Sequence, residues 1–322
     1  MLLYHQGMAV SPSRIVTTAE ARAQDNGRLS KRIEYRLQPV SGDNILSVAA
    51  ENADGVVSPA VERAVPASRK IEKPALYMLV VGINKYKVPR LNLEYARADG
   101  EKIAETISKQ ASTLFSKVKM TSLYDEKAER ASILAAISEL EAAAPDDSVI
   151  IYLAGHGEVL DNQFNFLTHS IRYPFKAADA KQNGISFADL GEALGRLDAR
   201  KITLLLDTCK SGDALQGLDV AERDQRVLGI FGGRVGLHLL AATDKGQLAT
   251  ELSSLGHGIF TYSLLEALAG KADLQPVDGL ISVKELVTYA EDSVAQLSSQ
   301  YASVPQRPTA YSRGYDFAMS RK

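Results

Sequence analysis

Hydrophobic and polar residues follow one pattern near the N-terminus and another in the rest of the chain. Near the N-terminus, Ile33–Leu37 and Asn44–Ala50 alternate apolar and polar residues, with turn-forming residues at Ser41–Asn44 between them. Alternation of this kind is typical of antiparallel strands with one buried face, so we expect a β-hairpin here. The pattern predicts a small β-rich module over residues 1–65, Ig-like or a partial β-sandwich, and a linker over 66–74.

Over residues 75–322, short and wholly apolar stretches alternate with amphipathic helix patterns. The apolar stretches are Tyr77–Ile83, Ser148–Ala154, Ile202–Leu206 and Gly236–Ala242. Strands that are apolar on both faces are typical of parallel sheets covered by helices on each side. The helix patterns lie near residues 95–108, 133–140, 187–197, 258–269 and 282–298. We therefore predict an α/β domain with a mostly parallel central sheet flanked by helices on both faces.

Two of the predicted strands lead into reactive side chains. The strand over 148–154 is followed by Gly-His-Gly, with His156 at its centre, and the strand over 202–206 leads to Cys209, the only cysteine. The carboxyl ends of parallel strands meet at one edge of a sheet, where α/β proteins place their chemistry. A lone cysteine can also be a small buried hydrophobe, and a histidine can simply be hydrogen-bonded in a loop. Their placement at the same edge favours a thiol nucleophile with an imidazole base.

Other residues near these strand ends are further candidates. The main-chain N–H groups of Gly157 and Cys209 could together stabilise a developing oxyanion. Among the other histidines, His238 lies within an apolar stretch, and we expect it in the core. His257 precedes a predicted helix and stays a second candidate for the site.

The segments Tyr152–Gly157 and Leu205–Gly212 resemble the two catalytic motifs of the caspase-like cysteine peptidases. They are most similar to the branch of metacaspases and bacterial caspase homologues. The His-to-Cys spacing is about 50 residues, as in caspases. The resemblance covers about residues 75–318 and implies a caspase-like fold.

The resemblance implies a cysteine endopeptidase with Cys209 as nucleophile, His156 as base and an oxyanion hole built from the amides of Gly157 and Cys209. It implies no metal or organic cofactor. In metacaspase-like enzymes the positions of Asp207 and Asp99 line a pocket for Arg or Lys at P1, the residue before the cleaved bond. Buried carboxylates need a cationic partner, which a basic P1 side chain supplies. An acid on the helix surface is the alternative for Asp99.

The chain departs from the metacaspase pattern in two places. Lys210 follows the cysteine where metacaspases usually have histidine; it either lowers the thiol pKa or faces solvent. Calcium-activated metacaspases carry an acidic cluster after the catalytic histidine. Here the loop predicted over 158–182 holds few acids beyond Asp161 and Asp179. We therefore do not expect activation by calcium.

The predicted loop over 212–236 is long, polar and rich in Gly, Arg and Asp. Long loops at a catalytic edge are commonly functional. With a basic P1 preference, Arg223, Arg226 and Arg234 become candidate sites of self-cleavage.

Composition narrows the choice of partners and compartment. The chain has 322 residues and a formal net charge of −2, which gives no electrostatic basis for binding nucleic acid or anionic membranes. One cysteine excludes an intrachain disulfide or a CxxC metal site. No apolar stretch approaches the roughly 20 residues of a membrane span, and the N-terminus lacks signal-peptide features, so a cytoplasmic protein is the default expectation. The expected partner is a protein or peptide substrate, and a monomer is favoured.

Two other functions remain as alternatives. The first is a catalytically silent caspase-fold module used for interaction or assembly. The second is a flavodoxin-like binding domain with a structural Cys209. That reading requires a glycine-rich phosphate loop after the first strand, and Ile83–Pro89 is not one.

Overall fold

The computed structural model describes most of the chain. The described residues are 1–5, 8–10, 15–21, 30–37, 42–54, 56–67, 73–161, 163–208, 236–242, 251–252, 256–274, 276–301, 305–313 and 316–322. The chain divides into two compact units, Met1–Ile71 and Glu72–Lys322, and each is described by itself.

The N-terminal unit is built from antiparallel strands, as the alternating pattern predicted. They are β1 (Leu2–His5), β2 (Met8–Ala9), β3 (Ile15–Ala21), β4 (Ser30–Tyr35), β5 (Gly42–Ala49) and β6 (Val61–Ala67). One sheet has the order β2-β1-β5-β6, and β3 pairs with β4 separately. The predicted hairpin between β4 and β5 is therefore wrong. Alternation indicates which face of a strand is buried, but it does not select the partner strand.

The last strand of this unit extends into the segment predicted as linker. Pro66 and Ala67 lie opposite Asp43 and Gly42 in the pairing of β6 with β5. Proline has no N–H to donate, but β6 is an edge strand, where a ladder position can lack a donor. The strand therefore continues to Ala67, two residues beyond the position where the composition placed the end of the module.

The second unit is centred on a six-stranded sheet. Its strands are β7 (Leu76–Gly82), β8 (Val118–Tyr124), β9 (Ser148–Gly155), β13 (Lys201–Thr208), β14 (Leu237–Ala241) and β18 (Thr309–Arg313). Their order is β18-β14-β13-β9-β7-β8. All neighbours are parallel except β14 and β18. The prediction of a mostly parallel sheet is confirmed.

Helices cover both faces of this sheet. They are α1 (Ala96–Leu114), α2 (Arg130–Glu139), α3 (Ala177–Asn183), α4 (Phe187–Gly195), α5 (Ile259–Glu266) and α6 (Val283–Tyr301). Side chains alternate along β7, so Leu79 packs with residues of α2 and α4, whereas Met78 packs with residues of α1, α5 and α6. Each face thereby buries its own hydrophobic cluster, which explains why the strands are apolar throughout.

The segment after His156 is not the loop that was predicted over 158–182. It forms β10 (Gly157–Leu160) and β11 (Gln163–Leu167), which pair as a hairpin, followed by α3 and β12 (Gly184–Ser186). Phe164 and Phe166 pack in the core, and this burial stabilises the hairpin. Among the described residues of this unit, shorter strands form two further pairs: β15 (Glu251–Leu252) with β16 (His257–Gly258), and β17 (Leu280–Ser282) with β19 (Ala318–Arg321).

Candidate active site

His156 directly follows β9, at the carboxyl edge of the central sheet. Its main-chain N–H donates to the Tyr86 hydroxyl at 2.8 Å, and the two rings lie 5.0 Å apart. Gly155 makes this approach possible, because a Cβ there would lie 2.8 Å from the Tyr86 oxygen and because its φ is +155°. Glycine tolerates both conditions, so the local sequence fixes the backbone that carries the imidazole.

The imidazole of His156 is oriented by a main-chain carbonyl. Its Nε2 atom lies 2.8 Å from the oxygen of Leu91, in the turn Pro89–Leu91. A carbonyl oxygen only accepts, so Nε2 carries the proton in this contact. In the neutral ring, Nδ1 is then the unprotonated nitrogen. In this tautomer Nδ1 is the ring nitrogen that can accept a hydrogen bond.

The segment that carries Leu91 is held by a buried carboxylate. Asp125 is 1% exposed; its Oδ1 accepts from the main-chain N–H groups of Asn84 and Lys85 at 2.9 and 2.8 Å, and its Oδ2 pairs with Arg97 at 3.0 Å. Burial alone would raise the pKa of Asp125, but these hydrogen bonds outweigh burial and lower it. The charged carboxylate therefore anchors the start of the loop that orients His156.

Gly157 places its main-chain N–H away from the neighbouring strand. In the β10–β11 pairing Gly157 lies opposite Phe166, and the N–H of Leu167 donates to the oxygen of His156 at 2.9 Å. Hydrogen-bonded and non-hydrogen-bonded pairs alternate in an antiparallel ladder. Gly157 and Phe166 therefore form a non-hydrogen-bonded pair, and the N–H of Gly157 is not used by β11.

Strand β13 ends beside β9 in register. Thr208 pairs with Gly155, and Asp207 pairs with Ala154. In sequence, Cys209 follows Thr208 as His156 follows Gly155. Cys209 itself, Lys210 and the candidate cleavage sites lie outside the described residues; those sites are Arg223, Arg226 and Arg234.

Asp207 is buried at the end of β13 and sits in a hydroxyl network. Its Oδ2 accepts from Thr261 Oγ1 at 2.6 Å and from the Tyr152 hydroxyl at 3.3 Å. The hydroxyls of Tyr152 and Thr261 are themselves 2.6 Å apart. The pKa of Tyr152 is raised well above its ordinary value by burial and by the negative charges of Asp207 and Asp99. Asp207 lies two residues after Leu205 in β13, and Leu205 packs in the same hydrophobic cluster as α1, the helix that carries Asp99. Because alternate residues of a strand face the same side, both acids lie on one side of the sheet.

Asp99 is also buried, in the first turn of α1, which excludes the surface position left open above. A Cβ on Gly82, at the end of β7, would lie 2.5 Å from the oxygen of Ala96, so glycine allows the start of α1 to approach the sheet. The Asp99 carboxylate accepts from His257 Nδ1 at 2.5 Å and from the N–H of Gly258 at 3.0 Å. Burial raises the pKa of Asp99, and these hydrogen bonds oppose the rise only in part.

Three contributors to the site were not identified from sequence: Tyr86, Leu91 and Asp125. Asp125 directly follows β8, so its position at the carboxyl edge of a strand was a usable signal. Leu91 contributes only a main-chain oxygen, which every residue type supplies, so no side-chain pattern marks it. His238, predicted to be in the core, is buried within β14 and hydrogen-bonded to Ser312.

The structure describes part of the chain, at the ranges given above. There, no group of three or more His, Cys, Asp or Glu side chains is arranged to hold a metal ion. Within the same residues, no helix is both long and apolar enough to cross a membrane.

Comparison with known proteins identifies the fold. The profile of the caspase domain matches residues 76–315. The crystal structure of a protein from Geobacter sulfurreducens aligns with a TM-score of 0.50 and 15% identity, covering 75% of this chain and 94% of that chain. Caspase-1 from Spodoptera frugiperda aligns with a TM-score of 0.48 and 14% identity, covering 80% of this chain and 97% of that one. At such identities the structural likeness concerns the fold alone. No curated protein matches the sequence at a significant level.

Proposed function

The chain belongs to the caspase-domain family, and from this membership and the geometry above we propose that it is a cysteine endopeptidase. Cys209 is the nucleophile and His156 is the base. The observation that carries the proposal is the 2.8 Å contact between His156 Nε2 and the oxygen of Leu91, because it leaves Nδ1 as the proton acceptor at the edge of the sheet where β13 leads to Cys209.

The reaction is an acyl transfer in two stages. His156 takes the proton of the Cys209 thiol, and the thiolate attacks the carbonyl carbon of the peptide bond. The tetrahedral intermediate collapses when the C–N bond breaks, and His156 returns the proton to the departing amine. Water, deprotonated by His156, then hydrolyses the thioester and releases the acid product and the free thiol.

Main-chain N–H groups stabilise the tetrahedral intermediate. We assign this role to Gly157 and Cys209, supported by the direction of the Gly157 N–H away from β11. Preorganised donors of this kind typically contribute about 3 kcal/mol each to the stability of the transition state. No metal or organic cofactor is needed for this chemistry.

The enzyme cleaves after Arg or Lys. Two buried acids, Asp207 and Asp99, support this preference, because both lie on one side of the sheet near the end of β13. Their negative charge is partly balanced by hydroxyl and N–H donors, and a basic P1 side chain would complete the balance. The aspartate preference of animal caspases would require a positive pocket instead.

Fluorogenic peptides that end in Arg, Lys or Asp test the proposal. We expect turnover after Arg and Lys, little after Asp, and none in Cys209→Ala. A chloromethyl ketone with Arg at P1 should label Cys209 in the wild type but not in His156→Ala. Equal labelling in both proteins, with no turnover, would instead support a catalytically silent assembly module; faster cleavage after Asp would overturn the basic preference alone.

A further inference from the structure

His257 is the more exposed partner of the buried acid Asp99. The His257 side chain is 21% exposed, whereas that of Asp99 is 3% exposed. The Nδ1 atom of His257 lies 2.5 Å from Asp99 Oδ1, while Asp99 Oδ2 accepts a hydrogen bond from the main-chain N–H of Gly258. Each oxygen of Asp99 thus already receives a hydrogen bond from within the protein, and His257 is the member of the pair that reaches the surface.

One short segment holds both acids of the proposed P1 pocket. His257 lies in β16, Gly258 is the residue before α5, and Thr261 lies in the first turn of α5. His257 and Gly258 donate to Asp99, and Thr261 donates to Asp207. The segment 257–261 therefore connects two carboxylates that come from α1 and β13.

We propose that His257 is a specificity-determining residue that presents the negative charge of Asp99 to a basic P1 side chain. This inference rests on the proposed function, because it assigns a role in the pocket of that same site. It also changes the role of Asp99, which acts through His257 as a positioning residue, while Asp207 supplies the carboxylate that pairs with P1.

The hydrogen bond between the two residues sets the chemistry of the imidazole. An ionised Asp99 only accepts hydrogen bonds, so His257 donates through Nδ1. In the neutral ring Nε2 is then an acceptor of hydrogen bonds. A guanidinium or ammonium group has N–H donors for this nitrogen.

Peptides that end in Arg or in citrulline can measure this effect. Citrulline has nearly the shape of arginine but carries no positive charge. In the Cys209→Ala background, which removes turnover, we expect the Arg peptide to bind at least about tenfold more tightly than the citrulline peptide, the effect of about one charge-assisted hydrogen bond.

The decisive variant is His257→Asn in the same background. The Asn amide can keep the hydrogen bond to Asp99 but has no counterpart of Nε2. We expect the preference for Arg over citrulline to fall by about tenfold, with binding of the citrulline peptide unchanged. Asp99→Asn should cause a comparable loss, and the double variant should lose little more than either single one, because the two residues act as one unit.

Two further variants separate the role of His257 from a general effect on folding. His257→Gln restores an acceptor near the position of Nε2 and should recover part of the preference. His169→Asn changes another histidine whose Nδ1 contacts a protein oxygen, that of Lys85, and should leave the preference intact. Thermal unfolding of each variant reports whether the fold is retained.

The outcomes distinguish this inference from the peptidase proposal. If His257→Asn folds and keeps the full preference for Arg, the inference is overturned even when the wild type is an active peptidase. If the preference depends on His257 but the wild type cleaves nothing, the pocket assignment stands and the peptidase function fails. If neither protein prefers Arg, the inference is overturned together with the basic P1 assignment.

Discussion

The main-chain oxygen of Leu91 lies 2.8 Å from Nε2 of His156, so a loop of the protein holds the proposed base in one tautomer. The direct partner of Nε2 is thus a main-chain oxygen. Asp125 accepts hydrogen bonds from the start of this loop, and the hydroxyl of Tyr86 accepts one from the main-chain N–H of His156. Variants of these residues should therefore affect catalysis through the position of the imidazole.

The hydroxyl of Tyr86 is the first of these contacts. Tyr86→Phe removes the acceptor for the His156 N–H, and we expect kcat to fall by about tenfold and the free energy of unfolding to fall by about 1 kcal/mol. Tyr77→Phe is the matched control, because its hydroxyl donates to the oxygen of Ala142 at 3.1 Å, and it should cost similar stability without loss of kcat. Steady-state kinetics and urea unfolding measure both; equal kcat in the two variants would contradict the role of Tyr86.

The carboxylate of Asp125 is the second contact. Asp125→Asn weakens the ion pair with Arg97 and the hydrogen bonds from the N–H groups of Asn84 and Lys85. We expect the free energy of unfolding to fall by about 2 kcal/mol and kcat to fall as well. Asp147→Asn is the control, because Asp147 accepts from two main-chain N–H groups near the amino ends of β7 and β9. It should lose stability but keep kcat per folded molecule. A normal kcat in Asp125→Asn would remove Asp125 from the positioning network.

Acid should destabilise the fold through Asp189. This residue pairs with Arg130 and caps α4 through Ser186; the Arg130 guanidinium, with the Ser186 hydrogen bonds, lowers the pKa of Asp189 to about 2. Since the folded pKa lies below the unfolded value near 3.9, its stabilisation is complete above about pH 4 and is lost as the pH falls towards 2.

Unfolding of Asp189→Asn as a function of pH tests this linkage. We expect a loss of about 2 kcal/mol at pH 7 and a weaker dependence on pH between about 4 and 2. Glu192→Gln affects only an exposed pair with Arg196 and should change stability by less than about 0.5 kcal/mol. Parallel pH curves for Asp189→Asn and the wild type would contradict the pKa assignment.

Self-cleavage should follow the basic P1 preference. Mass spectrometry of the purified protein should find new C-termini at Arg223, Arg226 or Arg234 in the wild type and none in Cys209→Ala. Replacing all three arginines with glutamine should remove these fragments. Peptide turnover by this triple variant then reports whether self-cleavage is needed for activity. Fragments that also occur in Cys209→Ala would point to another protease.

Calcium should not be needed for activity. In the segment after His156, Asp179 already accepts from the N–H of Arg172 at 2.7 Å and from the Asn183 amide at 2.9 Å, so its oxygens serve the local fold. We expect the same kcat/KM in the presence of a calcium chelator and of millimolar calcium. Loss of turnover with the chelator, restored by calcium, would overturn this expectation.

Several features followed from local sequence alone. The apolar stretches that became β7, β9, β13 and β14 indicated a buried parallel sheet, because only strands covered on both faces are apolar throughout. The motifs around His156 and Cys209 indicated the caspase-like family, which the profile match confirms. The metacaspase branch and the roles of the individual site residues stay predictions.

Contacts between residues far apart in the chain were decided only by the tertiary structure. Asp99 and His257 are 158 residues apart, and neither side chain has a local pattern that selects the other. Leu91 contributes a main-chain oxygen, which is chemically the same in every residue. The sequence alone thus indicated four strands of the central sheet and placed His156 at their carboxyl edge, since hydrophobic periodicity and strand ends are local properties. Only the tertiary structure decided which acid meets which donor and which carbonyl contacts His156, because those hydrogen bonds depend on distances that local sequence does not encode.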